Sequence, residues 1–574
     1  MMRFRIASCC AAAMAALVLV NTARAQSARF GLSEQKGAYV VDTGAGLIFA
    51  ISRGNGDLIS MKYKGRECEA QMSEGKRYSH YASGLSGGSK ITAEKDPGDN
   101  WIKISIDDEK IGVTQYYIAR RGESNIYMAT YAEKLPPPGE MRFITYLNRD
   151  VFTHLPSPSD ISQSDGGVEG KDVFKNSKTG TTYSKFYNAT DIIDGGVHGV
   201  SGNGIACFMN MGNRETSSGG PFFRDIENQS GSGAAEFYNY MYSGHTQTEP
   251  FRPGLKGPYA LQFTDGEPPT PPDYSFIEQL HLKGYVPPSG RGALTGRGAG
   301  VPSGNRATVA LSNASAQYWA NPDDDGTYTI KNALPGTYTE TLYDVELAVA
   351  KTTVTIEAGE TTKADIAATL LIPPAIFRIG MWDGTPRGFL NADKIADHHP
   401  SDVCMTPFTN GNFIVGKSRE LDWPLGEWKD VNNDQRITFT LTPEQAETPL
   451  TLRIGITWAF NDGRPQIEVN AQTPQARKSA LPAPSNQPKQ SRGITRGTYR
   501  GNNDIFPFDI PQGSLHSGTN TIDIHIDGSK KSYPGFLSPN VVFDAIDLVT
   551  TADARRATAT LPAKSPAVNT EGSD

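Results

Sequence analysis

Leu452, Ile454, Ile456, Trp458 and Phe460 are separated by single residues without a break. A repeat of two puts all five on one face of an extended strand, because successive side chains point to opposite sides. The same repeat returns in Ile437, Phe439 and Leu441, and in Ile522, Ile524 and Ile526. Further up the chain it shapes Trp101-Ile-Lys-Ile-Ser-Ile, Gln115-Tyr-Tyr-Ile-Ala and Asn125-Ile-Tyr-Met-Ala. Glycine turns such as Arg53-Gly-Asn-Gly-Asp separate these runs, and the 59 Gly and 38 Pro leave few long helical periods. The chain is expected to be all-β.

Proline clusters divide it. Residues 26–272 hold many short alternating runs and are read as one large sandwich, closed by Pro268-Pro-Thr-Pro-Pro272 with a short helical piece after it near 276–280. Residues 273–372 form a smaller unit with the strand count of an immunoglobulin-like sandwich. Pro373-Pro374 opens the third unit, 373–551, read as a jelly roll or related sandwich. Its Trp382, Trp423, Trp428 and Trp458 are expected in the core rather than on a sugar-stacking surface. Residues 552–574 are expected to lack structure.

The first 25 residues read as an export signal. Arg3 and Arg5 precede an apolar run to Val20, and Ala-Arg-Ala at 23–25 fits a cleavage site. No other stretch approaches the ~20 apolar residues of a membrane span. The expectation is a bacterial-type protein, periplasmic or secreted, with no membrane anchor, acting as a monomer. Without the leader, 52 basic face 62 acidic residues, a net charge of −10, so nucleic acid is not an expected partner. Cys68, Cys207 and Cys404 remain and allow at most one internal disulfide, so the fold must rest on its cores.

Some motifs carry nothing. Gly84-Leu-Ser86-Gly-Gly88 fits G-x-S-x-G, but a strand-like segment follows it where a nucleophile elbow needs a helix. Asp323-Asp324-Asp325-Gly326 reads as a solvated hairpin turn, and His398-His399 as a polar loop before Pro400. No zinc-hydrolase or nucleotide-binding pattern is present, so no metal ligands are assigned.

Residues 217–259 are more informative. Tyr238, Tyr240 and Tyr242 alternate and would share one strand face. His245 follows a Ser-Gly bend, and Arg252 and Lys256 lie just beyond. Tyrosines beside basic groups suit an acidic sugar; the plainer reading is a core strand with hydroxyls at its rim.

Taken with Thr181-Thr-Tyr-Ser-Lys185-Phe-Tyr187, Ser217-Ser-Gly-Gly-Pro-Phe-Phe-Arg-Asp225, Gly284-Tyr-Val-Pro-Pro-Ser-Gly-Arg-Gly292 and the run from Arg378 to Asp393, this stretch resembles the rhamnogalacturonan lyases of polysaccharide lyase family 4. The resemblance covers nearly all the chain after the leader. It implies a catalytic β-super-sandwich, a fibronectin-III-like domain and a carbohydrate-binding-like jelly roll. It also implies a catalytic Lys185 and His245, a substrate-binding Arg142, and groove aromatics at Tyr238 and Tyr240. Fungal members carry a second arginine where this chain has Tyr146, and Arg252 or Arg149 is the expected substitute.

The reaction so implied is β-elimination on the rhamnogalacturonan I backbone of pectin. It cuts the bond from rhamnose to O4 of galacturonate and leaves a 4,5-unsaturated galacturonate. The C5 proton is weakly acidic, so the carboxylate beside it must be neutralised and a base must stand at C5. An arginine fork suits the first task. Lys185 as base must be neutral, which requires burial or a nearby cation. No cofactor is required, and calcium is admitted only as a structural ion. The alternatives are a glycoside hydrolase, with Asp194, Asp225 and Glu249 as candidate carboxyls, and a non-catalytic pectin-binding protein.

Overall fold

The computed structural model describes residues 29–70, 78–81, 85, 87–170, 172–184, 191–224, 226–231, 233–243, 249–470, 493–501, 503–529 and 533–563. The fold is all-β, as the alternation predicts. Among the described residues no helix is long and apolar enough to cross a membrane.

The first unit is built around a seven-stranded antiparallel sheet that runs from Val197–Gly202 at one edge to Lys90–Lys95 at the other. Its alternation sorts side chains between two cores. In Val113–Arg120, Val113, Tyr117 and Ala119 face the main core, whereas Tyr116 and Ile118 pack under Phe276, Ile277 and Leu280. Those last three belong to a short 3-10 helix, Ser275–Leu280, at the predicted helical piece. Facing the seven-stranded sheet across the main core are a five-stranded N-terminal sheet and a four-stranded sheet. The latter is ordered Asn228–Ser230, Ala235–Tyr242, Met141–Leu147, His80–Tyr81. A small three-stranded sheet, Gly166–Glu169, Val173–Lys175 and Thr182–Ser184, stands beside it. The 3-10 helix Ser157–Ser159 lies against both Thr182–Ser184 and Asn228–Ser230, joining the two sheets.

The second unit is a two-sheet sandwich. The strands Gln317–Ala320, Ala307–Ser312, Gly336–Asp344 and Leu347–Ile356 form one layer, and Gly292–Ala299 with its neighbours forms the other. The triple aspartate is a turn, as expected: Gly326 donates to the Asp323 carbonyl, and Asp325 accepts from Thr327.

In the third unit Leu450–Phe460 and Asn540–Thr550 pair at the centre of one sheet, opposite the sheet of Gln435–Leu441 and Gly518–Asp527. All four tryptophans assigned to the core are buried. The chain end departs from expectation: Thr551–Ala559 is a helix. Thr550 caps it by accepting from the Asp553 amide, and Ala554 and Ala557 are buried. Two small buried residues three apart were too short a signal beside the Ala-Thr-Pro composition. Cys68, Cys207 and Cys404 are all free thiols.

Candidate functional site

The four-stranded sheet turns one face to the main core and carries the expected site residues on the other. Register places Arg142 opposite Tyr240, Ile144 opposite Tyr238, and Tyr146 opposite Glu236, with His80 beyond Ile144. Phe143, between them, and Leu147, just beyond, point into the core. A β-bulge between Met141 and Arg142 breaks the expected tyrosine stripe: Tyr242 pairs with Met141 and turns inward to meet Phe251. Only Tyr238 and Tyr240 therefore share a face, their rings 5.8 Å apart.

Those two rings are not open to a ligand. Tyr238 is 5% and Tyr240 3% exposed, beneath Ala70, Phe223, Ile226 and Ala234. The expected groove aromatics are instead packed support. The Tyr238 hydroxyl donates to Glu236 (2.7 Å), and burial together with Glu236 pushes its ionisation up. The Tyr240 hydroxyl accepts from Arg142 Nη1 at 3.1 Å, and the guanidinium lies 5.5 Å from the ring centre. Arg142 is also ion-paired with Glu140, and its side chain is 25% exposed. It is a partly open cation anchored from below.

Neither expected substitute for the second arginine lies free. Arg149 forms a fork with Asp160 (2.9 and 3.0 Å) and donates to the Gly231 carbonyl. Arg252 is 3% exposed, and its donors go to Asn313 O, Ser217 O, Glu249, Gln317 and Ser312. The expected substrate contact of Arg252 is thus corrected to a brace between the first and second units. Sequence could not show this, because the partners that bury it stand some sixty residues away. Lys256 is likewise buried, donating to the carbonyls of Thr216 and Arg252; burial, then Arg252, holds its amine well below the usual lysine range. At position 146 the tyrosine is buried and stacks on His80, with centroids 5.9 Å apart.

Lys185 and His245 lie outside the described residues, as does Asp225. The elements that deliver them are described. Lys185 follows Ser184 at the end of Thr182–Ser184, and His245 comes three residues after Tyr242. After His245 the chain is caught at Glu249, which accepts from the Gly219 amide (2.8 Å) and Arg252 (3.0 Å). Burial would raise that carboxyl, but Arg252 and the amide outweigh it and hold it below the usual range.

Two contacts were not foreseen. His399, expected in a polar loop, is buried, with Nε2 3.2 Å from a Glu169 carboxylate oxygen. Arg224, inside a quoted motif but given no role, binds Asp191, Glu346 and the Tyr499 hydroxyl. Its position beside the conspicuous Pro-Phe-Phe run was the available signal. His398, Asp402 and Cys404 gather ligand-type atoms within 4.8 Å. The Asp402 oxygens, however, accept from the Thr182 amide and hydroxyl and from the Cys404 amide. Its structural work is to hold the chain.

Comparison with known proteins covers all three units. Residues 30–284 match the family described as rhamnogalacturonan lyase B, N-terminal; residues 290–364 and 375–548 match domains II and III of polysaccharide lyase family 4. A probable rhamnogalacturonate lyase A of Aspergillus clavatus is 42% identical over 91% of this chain and 96% of its own length. Rhamnogalacturonate lyase A of Emericella nidulans is 41% identical over 92% of this chain, and that of Aspergillus aculeatus 40% over 92%; each is covered to 97%.

Proposed function

The chain belongs to polysaccharide lyase family 4, among the rhamnogalacturonate lyases, and we propose that it cuts the rhamnogalacturonan I backbone by β-elimination at galacturonate. The observation that carries the chemistry is Arg142: a partly exposed guanidinium on a rigid strand, seated on Tyr240 and aimed out of the sheet that also leads to His245. A guanidinium fork there neutralises the galacturonate carboxylate, so charge developing at C5 spreads onto it. Neutral Lys185 takes the C5 proton. The electron pair forms the C4–C5 double bond, the bond from C4 to O4 breaks, and O4 leaves on rhamnose with a proton supplied at His245.

The hydrolase alternative is weaker. Among its candidate carboxyls, Glu249 is ion-paired with Arg252, and Asp194 is an exposed partner of Arg306. Among the described residues both are engaged by arginines rather than by a facing carboxyl. The protein is proposed to act as an exported monomer without a required cofactor, the leader-like residues 1–25 directing export.

The test is Lys185→Ala, read by cleavage and by oligosaccharide binding. Loss of ~10²–10⁴-fold in kcat with binding retained is expected of a missing general base. Full activity in this variant would remove Lys185 from the reaction.

A further inference from the structure

The described residues on either side of 185–190, Thr182 and Asp191, are bonded into contacts that reach the two units outside the catalytic sandwich. On its N-terminal side, Thr182 is fully buried. Its amide and hydroxyl both donate to Asp402 Oδ2 of the third unit (2.5 and 2.7 Å), and its hydroxyl accepts from the His399 amide at 3.2 Å. The surrounding small sheet is seated on the same loop. Lys175 donates to the Ser401 carbonyl, the Val403 amide to the Gly180 carbonyl, and His399 Nε2 lies 3.2 Å from Glu169.

On its C-terminal side, Asp191 pairs with Arg224 at 2.6 Å and faces Arg306 of the second unit at 3.4 Å. Arg224 continues to Glu346 of the second unit (2.6 Å) and the Tyr499 hydroxyl of the third (2.7 Å).

A lysine side chain is long and flexible, and a base displaced by about 1 Å costs on the order of 100-fold in rate. A three-stranded sheet has little core to fix that position itself. We propose that the third unit works as a positioning device for the general base, with Asp402 as the positioning residue that sets the strand ending one residue before Lys185. The proposal rests on Lys185 being the base.

It is tested with Asp402→Ala, Asp402→Asn and Thr182→Val in the full chain, with Lys185→Ala alongside. Kinetics on rhamnogalacturonan, oligosaccharide affinity and thermal midpoint are measured for each. Asp402→Ala is expected to lower kcat by 10-fold or more, towards the ~100-fold of a misplaced group. KM and affinity should stay within about twofold of the parent, since Arg142 and its sheet are untouched. Asp402→Asn keeps an oxygen for the Thr182 amide and should recover most of the loss. Thr182→Val, which keeps the amide bond, should fall between. Unchanged kcat in a folded Asp402→Ala protein overturns the proposal, as does equal loss of kcat and affinity. Should Asp402→Ala fail to fold, Thr182→Val decides by the same split. An active Lys185→Ala refutes the base assignment; an inactive Lys185→Ala beside a normal Asp402→Ala refutes only the positioning role.

Discussion

Arg142 shows how a cation is kept both fixed and available. Its strand is central in the sheet, Tyr240 supports it from below, and Glu140 balances its charge until a substrate carboxylate competes. Arg142→Lys keeps the charge and loses the fork, so a ~10²-fold fall in kcat is expected, the scale of losing one transition-state donor. Tyr240→Phe removes one hydrogen bond to the guanidinium and should cost about 3–10-fold, from a bond worth ~0.5–1.5 kcal/mol. Steady-state kinetics on both variants checks the order. Residue roles were the least legible layer of the sequence. Arg142 and Arg252 look alike as exposed basic residues near aromatic runs, yet one is partly open and the other is sealed in a seam. The difference lies in Asn313 and Gln317, which reach Arg252 only after the second unit docks.

At the scale of elements, the strand Ala235–Tyr242 needs help along its free edge. Beyond Phe237, where pairing with Asn228–Ser230 ends, its outward carbonyls are taken by side chains: Tyr238 O by His198 (2.7 Å) and Tyr240 O by Arg214 (3.2 Å). His198 Nδ1 is buried and makes no hydrogen bond, so a second proton there would be unsolvated, and burial pulls the ring down to about 4. The folded value lies below the unfolded one near 6.5, so the unfolded chain binds the extra proton first. Stability from this site is complete above pH ~6.5 and is lost as pH falls towards 4, on the order of 3 kcal/mol. His198→Gln can still donate to Tyr238 O and should flatten the stability profile across that window, as denaturant titrations would show. A profile unchanged by the substitution would contradict this account. Strand existence was legible here because alternation survives in isolation. The inward turn of Tyr242 was not, since a bulge is a property of two paired strands.

For the whole molecule, the division into three sandwiches followed from alternation and proline boundaries, but the seams between them did not. They are built from charged pairs distant in sequence. Arg291 of the second unit grips Glu215 of the first through two bonds of 2.6 and 2.9 Å, with both side chains 7% exposed and Tyr318 adding a third contact. Arg291→Met leaves the Glu215 charge buried and should cost ~3–5 kcal/mol, whereas pairing it with Glu215→Met should recover much of that loss. Thermal unfolding of the single and double variants measures the coupling. Composition allowed at most one internal disulfide; Cys68, Cys207 and Cys404 are free, and each of the three units is built on a buried apolar core.

The central claim is elimination on rhamnogalacturonan. Its most direct measurement is ultraviolet absorbance of the unsaturated uronate during incubation with purified rhamnogalacturonan, with homogalacturonan in parallel. The account predicts a steady rise with rhamnogalacturonan alone, abolished in Lys185→Ala. New reducing ends without that absorbance would mean water had cut the bond, and the elimination mechanism would be wrong.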